Sequence, residues 1–407
     1  MKSARSQKKA IICLVFLTGI LLVICFALSS GDVAFADNKN SEDIDKDLGQ
    51  AIEEIIERLD FESLQKFLNS LGEDEASFLS VNNISETIKS LTNGEGGNFF
   101  ERLFGVLGKT FGRYFLSFLP SFITILIISI LKSMLSGLTA DFLDNSTTEV
   151  VQIVLYASII TILMTGVVKI VALVVNTVNA MATFAEAVFP ILLTLLSAVG
   201  GTATVATYSP MLAVLSKGII TIIVKIIVPA FIAVVVFAVV GNLSKNVKLD
   251  KLTHLIKTAS TWLIGVVFGL FVTFLTAQGI TGGIVDKFGF SVAKFALSSY
   301  VPILGGYLSD GFDLISASVV VVKNAFGYFA AMTAVGVVLF PLLKVLAFSL
   351  TLRFVAAIVE PIGDERVAKL LHTLAENMNL LITALAGVGF LFFIMLMLII
   401  GSCNMGI

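Results

Sequence analysis

Six stretches of about twenty predominantly apolar residues recur along this 407-residue chain, at 114–138, 150–170, 218–243, 262–282, 326–350 and 378–401. Each is long enough to cross a bilayer as a helix, because about 20 residues at 1.5 Å per residue match the hydrocarbon thickness. Hydrocarbon offers no partner for a backbone amide, so a chain with six such runs is restricted to a helical membrane fold. Composition agrees: 57% of residues are hydrophobic and 14% charged, against about 25% charged in soluble domains.

Two more apolar stretches are less regular. They are 187–208, AVFPILLTLLSAVGGTATVATY, and 301–322, which opens VPILGGYLSDGFD. Both carry Pro-Ile-Leu followed by Leu-Ser at the same spacing, at Pro190 and Pro302. An offset of 112 also maps Pro229 onto Pro341, and an offset of 118 maps Lys251 and His254 onto Lys369 and His372. These matches predict an internal duplication, roughly 185–282 and 297–400. Paired Gly/Pro-interrupted segments in two halves mark transporter-like and channel-like domains. The two stretches are therefore expected as broken or re-entrant helices facing a polar interior. Pro190, Gly200, Gly201, Pro302, Gly305 and Gly306 supply the breaks, and Asp310 and Asp313 require water or partners. Interfacial loop acids are the plainer reading of the two aspartates.

The N-terminus carries Lys2, Arg5, Lys8 and Lys9 ahead of an apolar run, 10–28, and an Ala-x-Ala pattern ending at Ala36 before Asp37. That is a signal-peptide layout, 1–36, with an uncleaved anchor as the alternative. Residues 37–98 hold 15 acids and 5 bases. Ile52, Ile55, Ile56 and Leu59 recur there at helical spacing. A small acidic helical domain outside the cytosol is expected, packed on the membrane domain or a partner, with a loosely ordered spacer as the alternative. Residues 99–113 place Phe100, Leu103, Leu107 and Phe111 on one face, the pattern of an interfacial helix. The fold class is thus an all-α polytopic membrane protein, with the polytopic domain at 114–407.

Lysines 245, 248, 251 and 257 place the 244–261 loop in the cytoplasm. With both irregular segments re-entrant, 353–377 falls on the same side, so single cysteines at Asn246 and Glu376 react from one side of the membrane. Lys225 lies within an apolar run, where a lysine costs roughly 2.5–3.5 kcal/mol at the bilayer centre. It either snorkels to an interface or pairs with an acid such as Glu186. Lys344 poses the same question. Lys323 and Asn324 either line a polar path or anchor at headgroup level. His254 and His372 fall on amphipathic loop helices, and two lone histidines make no metal site.

The three cysteines, Cys13, Cys25 and Cys403, allow no disulfide framework. Gly108-Lys109-Thr110 lacks the earlier glycine of a phosphate-binding loop. No HExxH, GxSxG or cysteine-nucleophile arrangement is present, so neither catalysis nor a cofactor is expected. The charge distribution gives no nucleic-acid footprint; the expected surroundings are lipid and protein.

FPILLTLLSAVGG (189–201), AKFALSSYVPILGGYLSDGFDLISASVVVVKNAFG (293–327), FPLLKVLAF (340–348) and EPIG (360–363) carry a family likeness. Through them the chain resembles stage III sporulation protein AE of endospore-forming bacteria. The resemblance implies a multi-pass protein of the mother-cell-derived membrane around the forespore. It would belong to a secretion-like channel complex with the other stage III A-operon proteins, including an ATPase and ring-forming subunits, and with the forespore stage II protein Q. The residues alone leave two alternatives, a stand-alone permease for a small solute and a structural platform recruiting ring subunits.

Overall fold

The computed structural model describes residues 42–79, 83–93, 99–142, 145–243, 249–300, 305–362 and 365–402. The expected signal segment, with Ala36 and Asp37, and also Pro302, lie outside these. Four short helices come first: α1 (Glu42–Arg58), α2 (Glu62–Asn69), α3 (Glu73–Leu79) and α4 (Ile84–Thr92). Six long ones follow: α5 (Phe99–Phe142), α6 (Asn145–Ala198), α7 (Thr202–Leu243), α8 (Asp250–Tyr300), α9 (Gly305–Val359) and α10 (Glu365–Gly401). Each of the six contains a stretch long and apolar enough to cross a membrane. No strand occurs among the described residues.

The long helices alternate in direction. Tyr114 meets Lys344, Phe118 meets Phe348 at 5.2 Å, and the Ser133 hydroxyl donates to the Ile362 carbonyl at 2.7 Å, so α5 and α9 run parallel. Ser349 pairs with Ala375, Gly389 faces Val338 and Gly327 faces Ile400, so α10 returns antiparallel to α9. Asp250 with Lys369, Lys257 with Glu376 and Phe268 with Gly387 set α8 parallel to α10. The C-terminal ends of α5, α7 and α9 and the N-terminal ends of α6, α8 and α10 therefore lie at one end of the bundle. At the other lie the 199–201 turn and the four short helices.

The outward faces locate the bilayer. On α6 the exposed stripe is apolar at Ile153, Val154 and Val168, then polar from Lys169 through Asn176, Asn179, Thr183 and Glu186. On α7 it is polar through Lys217, Thr221 and Lys225, then apolar at Ile226, Ile232, Val236 and Leu243. On α5 the change falls between exposed Arg113 and Leu116. Gly166 faces Phe348 and Lys344 stacks on Tyr114, which brings Lys169, Arg113 and Lys344 to one level. Lysines and a tyrosine at such a boundary put charge in the headgroups and stem or ring in the hydrocarbon. Lys132, stacked on Tyr156 at 5.1 Å, marks the opposite boundary, about 28 Å from Arg113 along α5 at 1.5 Å per residue. From Lys225 to Leu243 is about 27 Å. Both match a hydrocarbon core of about 30 Å.

The helices are much longer than this layer. Beyond Lys169, α6 runs on for about 43 Å, and α9 extends about 58 Å beyond Lys344. These extensions form a helical stalk on the side of the short helices. The stripe expected in 37–98 is buried against it: Ile56, Leu64, Phe67 and Ile88 are all inaccessible, and Phe61 packs on Phe326, Phe67 on Phe184 and Phe78 on Phe340 at 5.4–5.9 Å. Each such aromatic contributes roughly 1.5–3 kcal/mol of burial. Asp74 accepts hydrogen bonds from Arg113 and Tyr114 at the base of the stalk.

Two expectations differ from this fold. Residues 187–208 are not a re-entrant loop: α6 runs unbroken through Pro190 to Ala198, Gly200 turns at φ 86°, and α7 starts at Thr202. The turn lies at the stalk tip, where exposed Pro190 leaves α6 continuous and only the left-handed glycine stops it. Residues 99–113 are the first part of α5, which continues without a break. Lys257 of α8 donates to the Glu376 carbonyl of α10 at 2.9 Å, so these two helices lie side by side at that level.

Two outcomes follow from the packing. Gly387 faces the Phe268 ring with no room for a Cβ, so Gly387→Ala overpacks the α8–α10 seam and costs about 1–3 kcal/mol, read as a lower melting temperature in detergent. Burial pushes the Glu75 carboxyl above its ordinary 4.5, opposed by a backbone hydrogen bond and Lys344. A carboxyl whose folded value is raised is disfavoured once ionised, so docking of α3 is strongest in acid and weakens as pH rises from 4.5 through the raised value. Protease protection of α3 falls over that window in the native chain, and Glu75→Gln abolishes the trend.

Candidate functional site: a polar face at membrane depth

On α10 the outward stripe is Lys369, His372, Glu376, Asn379 and Thr383, at helical spacing. It is well exposed: the side chains of His372 and Glu376 are 64% and 57% accessible. Its neighbour α8 presents His254, Thr258 and Thr261, also exposed, on the flank that adjoins α10. Asp250 and Lys369 approach to 4.0 Å across the seam, which joins the two stripes into one face. Both histidines of the chain lie on it, at positions related by the 118-residue offset.

This face sits within the layer the other helices define. Ser349, bonded to the Ala375 carbonyl, is about 7 Å from Lys344 along α9 on the Glu360 side. The exposed apolar stripe of α8 is Leu255, Trp262, Val266, Leu270 and Phe274, and the Lys257–Glu376 and Phe268–Gly387 contacts place α10 residues 376–387 alongside. An exposed acid at this depth costs roughly 2.5–3.5 kcal/mol against lipid. Glu376, about 6 Å inside the Lys344 level and 3.6 Å from His372 on the same helix, therefore requires water or another polar surface, whereas Asn379 and Thr383 lie near the Lys344 level, with the Thr383 hydroxyl donating to the Asn379 carbonyl at 2.8 Å.

A second polar cluster closes the stalk tip. Asp286, 4% exposed, accepts from the backbone amides of Ala203 and Thr204 at 2.8 and 2.9 Å, capping the N-terminus of α7. Lys323, fully buried, donates to the Ser402 carbonyl at the C-terminal end of α10. Each charge lies at the helix end of opposite partial charge, where a carboxylate and an ammonium are both stabilised. Tyr208, fully buried, has its hydroxyl beside Ser402.

The residues singled out in the sequence are distributed as follows. Gly200 and Gly201 form the α6–α7 turn beside the Asp286 cap. Lys323 and Asn324 belong to the tip cluster, with Asn324 half-buried. Gly305, Gly306 and Asp310 lie in the first turns of α9, and Asp313 is half-buried farther along it. Pro190 is exposed on α6. Lys225 is exposed at the α7 boundary, in a π-helical stretch, Ile223–Ile227, and no ion pair joins it to Glu186. Of these, only Gly200, Gly201, Lys323 and Asn324 are brought to a common end. Sequence reasoning missed Asp286, whose partners are more than 80 residues away; it set His372 on an amphipathic loop helix and Asn379 and Thr383 in the apolar run 378–401. No group of three or more potential metal ligands occurs among the described residues.

Against known families, the model for stage III sporulation protein AE matches residues 82–403. The chain belongs to the stage III sporulation protein AE family. The family match thus takes in α4 to α10, including the whole polar face, and starts after α1 to α3. Stage III sporulation protein AE of Bacillus subtilis (strain 168) is 23% identical over 282 residues, covering 69% of this chain and 71% of that one. No solved structure matches the chain.

The tip cluster is directly testable. Lys323→Met keeps the stem but leaves the Ser402 carbonyl without its charged donor, a loss of about 1.5–3 kcal/mol. Differential scanning of the purified chain registers it as a lower melting temperature, with Lys225→Met, at an exposed boundary site, close to native.

Proposed function

We propose that this protein is an integral membrane subunit of a secretion-like channel complex joining mother cell and forespore, needed for forespore development after engulfment. Family membership supports a sporulation role. The single structural observation that supports a channel is the α8–α10 face. A chain with a purely anchoring task has no use for Glu376 at hydrocarbon depth, because it lowers membrane stability. A polar wall of a conducting path gives it water.

In this reading the bilayer is the mother-cell-derived membrane around the forespore, and the stalk with its acidic helices stands in the space between the two membranes. The stalk then offers the contact surface for the ring-forming subunits and for stage II protein Q, and the bundle end formed by the C-termini of α5, α7 and α9 faces the ATPase.

The test is affinity purification of the tagged protein from detergent-solubilised sporulating cells, with mass spectrometry of the co-purifying chains. Recovery of the ATPase and ring-forming subunits in a stable ratio is the expected result. Recovery of this chain alone, across mild detergents, overturns the complex and leaves a stand-alone permease, for which solute flux is then the measurement.

A further inference from the structure

We infer that a second copy of this chain covers the α8–α10 face, so that the polar path at membrane depth is enclosed between copies rather than within one. Four observations lead there. Lipid cannot cover Glu376 without the penalty stated above. No other segment among the described residues covers it, since His372 and Glu376 remain more than half accessible. A partner standing outside the membrane cannot reach a side chain this far into the layer, so the cover must itself be a membrane helix. Finally, the face is complementary to itself. Asp250 and Glu376 carry negative charge, Lys251 and Lys369 positive charge, and Asn379, Thr258 and Thr261 both donate and accept. A surface that contains both halves of each pairing fits a rotated copy, the condition for an isologous contact. Gly265 and Gly269 on the same flank of α8 have open space before them, which permits close approach of a second backbone.

The inference extends the channel reading but is tested without the other subunits. Cys13, Cys25 and Cys403 are first replaced by Ser. Asn379→Cys and Thr383→Cys are then introduced singly into the full chain, beside Ile127→Cys and Val168→Cys on the lipid-facing stripes of α5 and α6. Mild oxidation in native membranes is expected to shift the two α10 variants from 43.5 kDa to twice that mass and to leave the two controls unshifted. Three results overturn the inference: a shift of all four variants alike, a shift to a different protein's mass, or unshifted α10 variants that react with a membrane-impermeant maleimide. The last would mean a wet groove in a single copy. Native mass spectrometry of the unsubstituted chain in mild detergent guards against variants that fail to accumulate. More than one copy is expected, and a single copy in every detergent overturns the proposal. Failure here leaves the co-purification result standing, and failure there leaves this one standing.

Discussion

Hydrocarbon about 30 Å thick satisfies only about twenty residues of a helix, and three of the six long helices here exceed fifty residues. Everything else in the architecture answers that mismatch. The surplus has to leave the membrane, and it leaves on one side as a stalk. A stalk of apolar helices in water must bury its faces, and the short acidic helices cover part of them. Phe67, Phe61 and Phe78 seat on α6 and α9 well above the lysine boundary. The N-terminal helices are thus less an appended domain than the outer wall of the stalk core, with their acids turned to solvent.

Fold class was legible in the sequence because hydropathy reports it directly. Where each helix crosses was not. Runs 326–350 and 378–401 are as apolar as any in the chain, yet more than half of the apolar windows of α9 and α10 is buried in protein, against about a fifth in α5 and α8. Protein core and lipid demand the same residues, so a hydropathy run cannot say which of them it will meet. The information lies in the outward stripe alone, and the outward stripe is known only once neighbours are known. Lys225 and Lys344, read in the sequence as awkward charges inside apolar runs, become with Lys169 the markers of the boundary once their neighbours are in place. Gly200 shows the same limit from the other side: the helix break was visible in Val-Gly-Gly, but its distance from the membrane was not.

Long-range electrostatics was the least legible layer. Asp286 and Lys323 stand far from the helix ends they cap, and no local pattern joins an aspartate in GGIVDKF to the first amides of α7. The two contacts have a mechanical consequence. Asp286 ties α8 to α7, and Lys323 ties α9 to α10, at the tip of the stalk. The same α9 carries the α1 to α4 docking surface and forms the long contact with α10.

The polar face itself is best understood through the geometry of α8 and α10. They are parallel neighbours whose contacts fall at a separation of 119 residues, as in Lys257 with Glu376, while the sequence relates Lys251 and His254 to Lys369 and His372 at 118. Related positions thus sit side by side at one depth. In an antiparallel pair they would be dispersed along the axis, and each polar side chain would meet an unrelated apolar one. Parallel packing at near-zero stagger instead brings the two polar stripes to one depth, so that they add into one face. Asp250 lies 4.0 Å from Lys369 across the seam, and Lys257 bonds the Glu376 carbonyl and the Asn377 side chain at 2.9 and 3.0 Å. Upward from Asn379 the face carries hydroxyls and an amide in place of charge, a gradient from ionic to neutral polar that runs from the loop end toward the stalk.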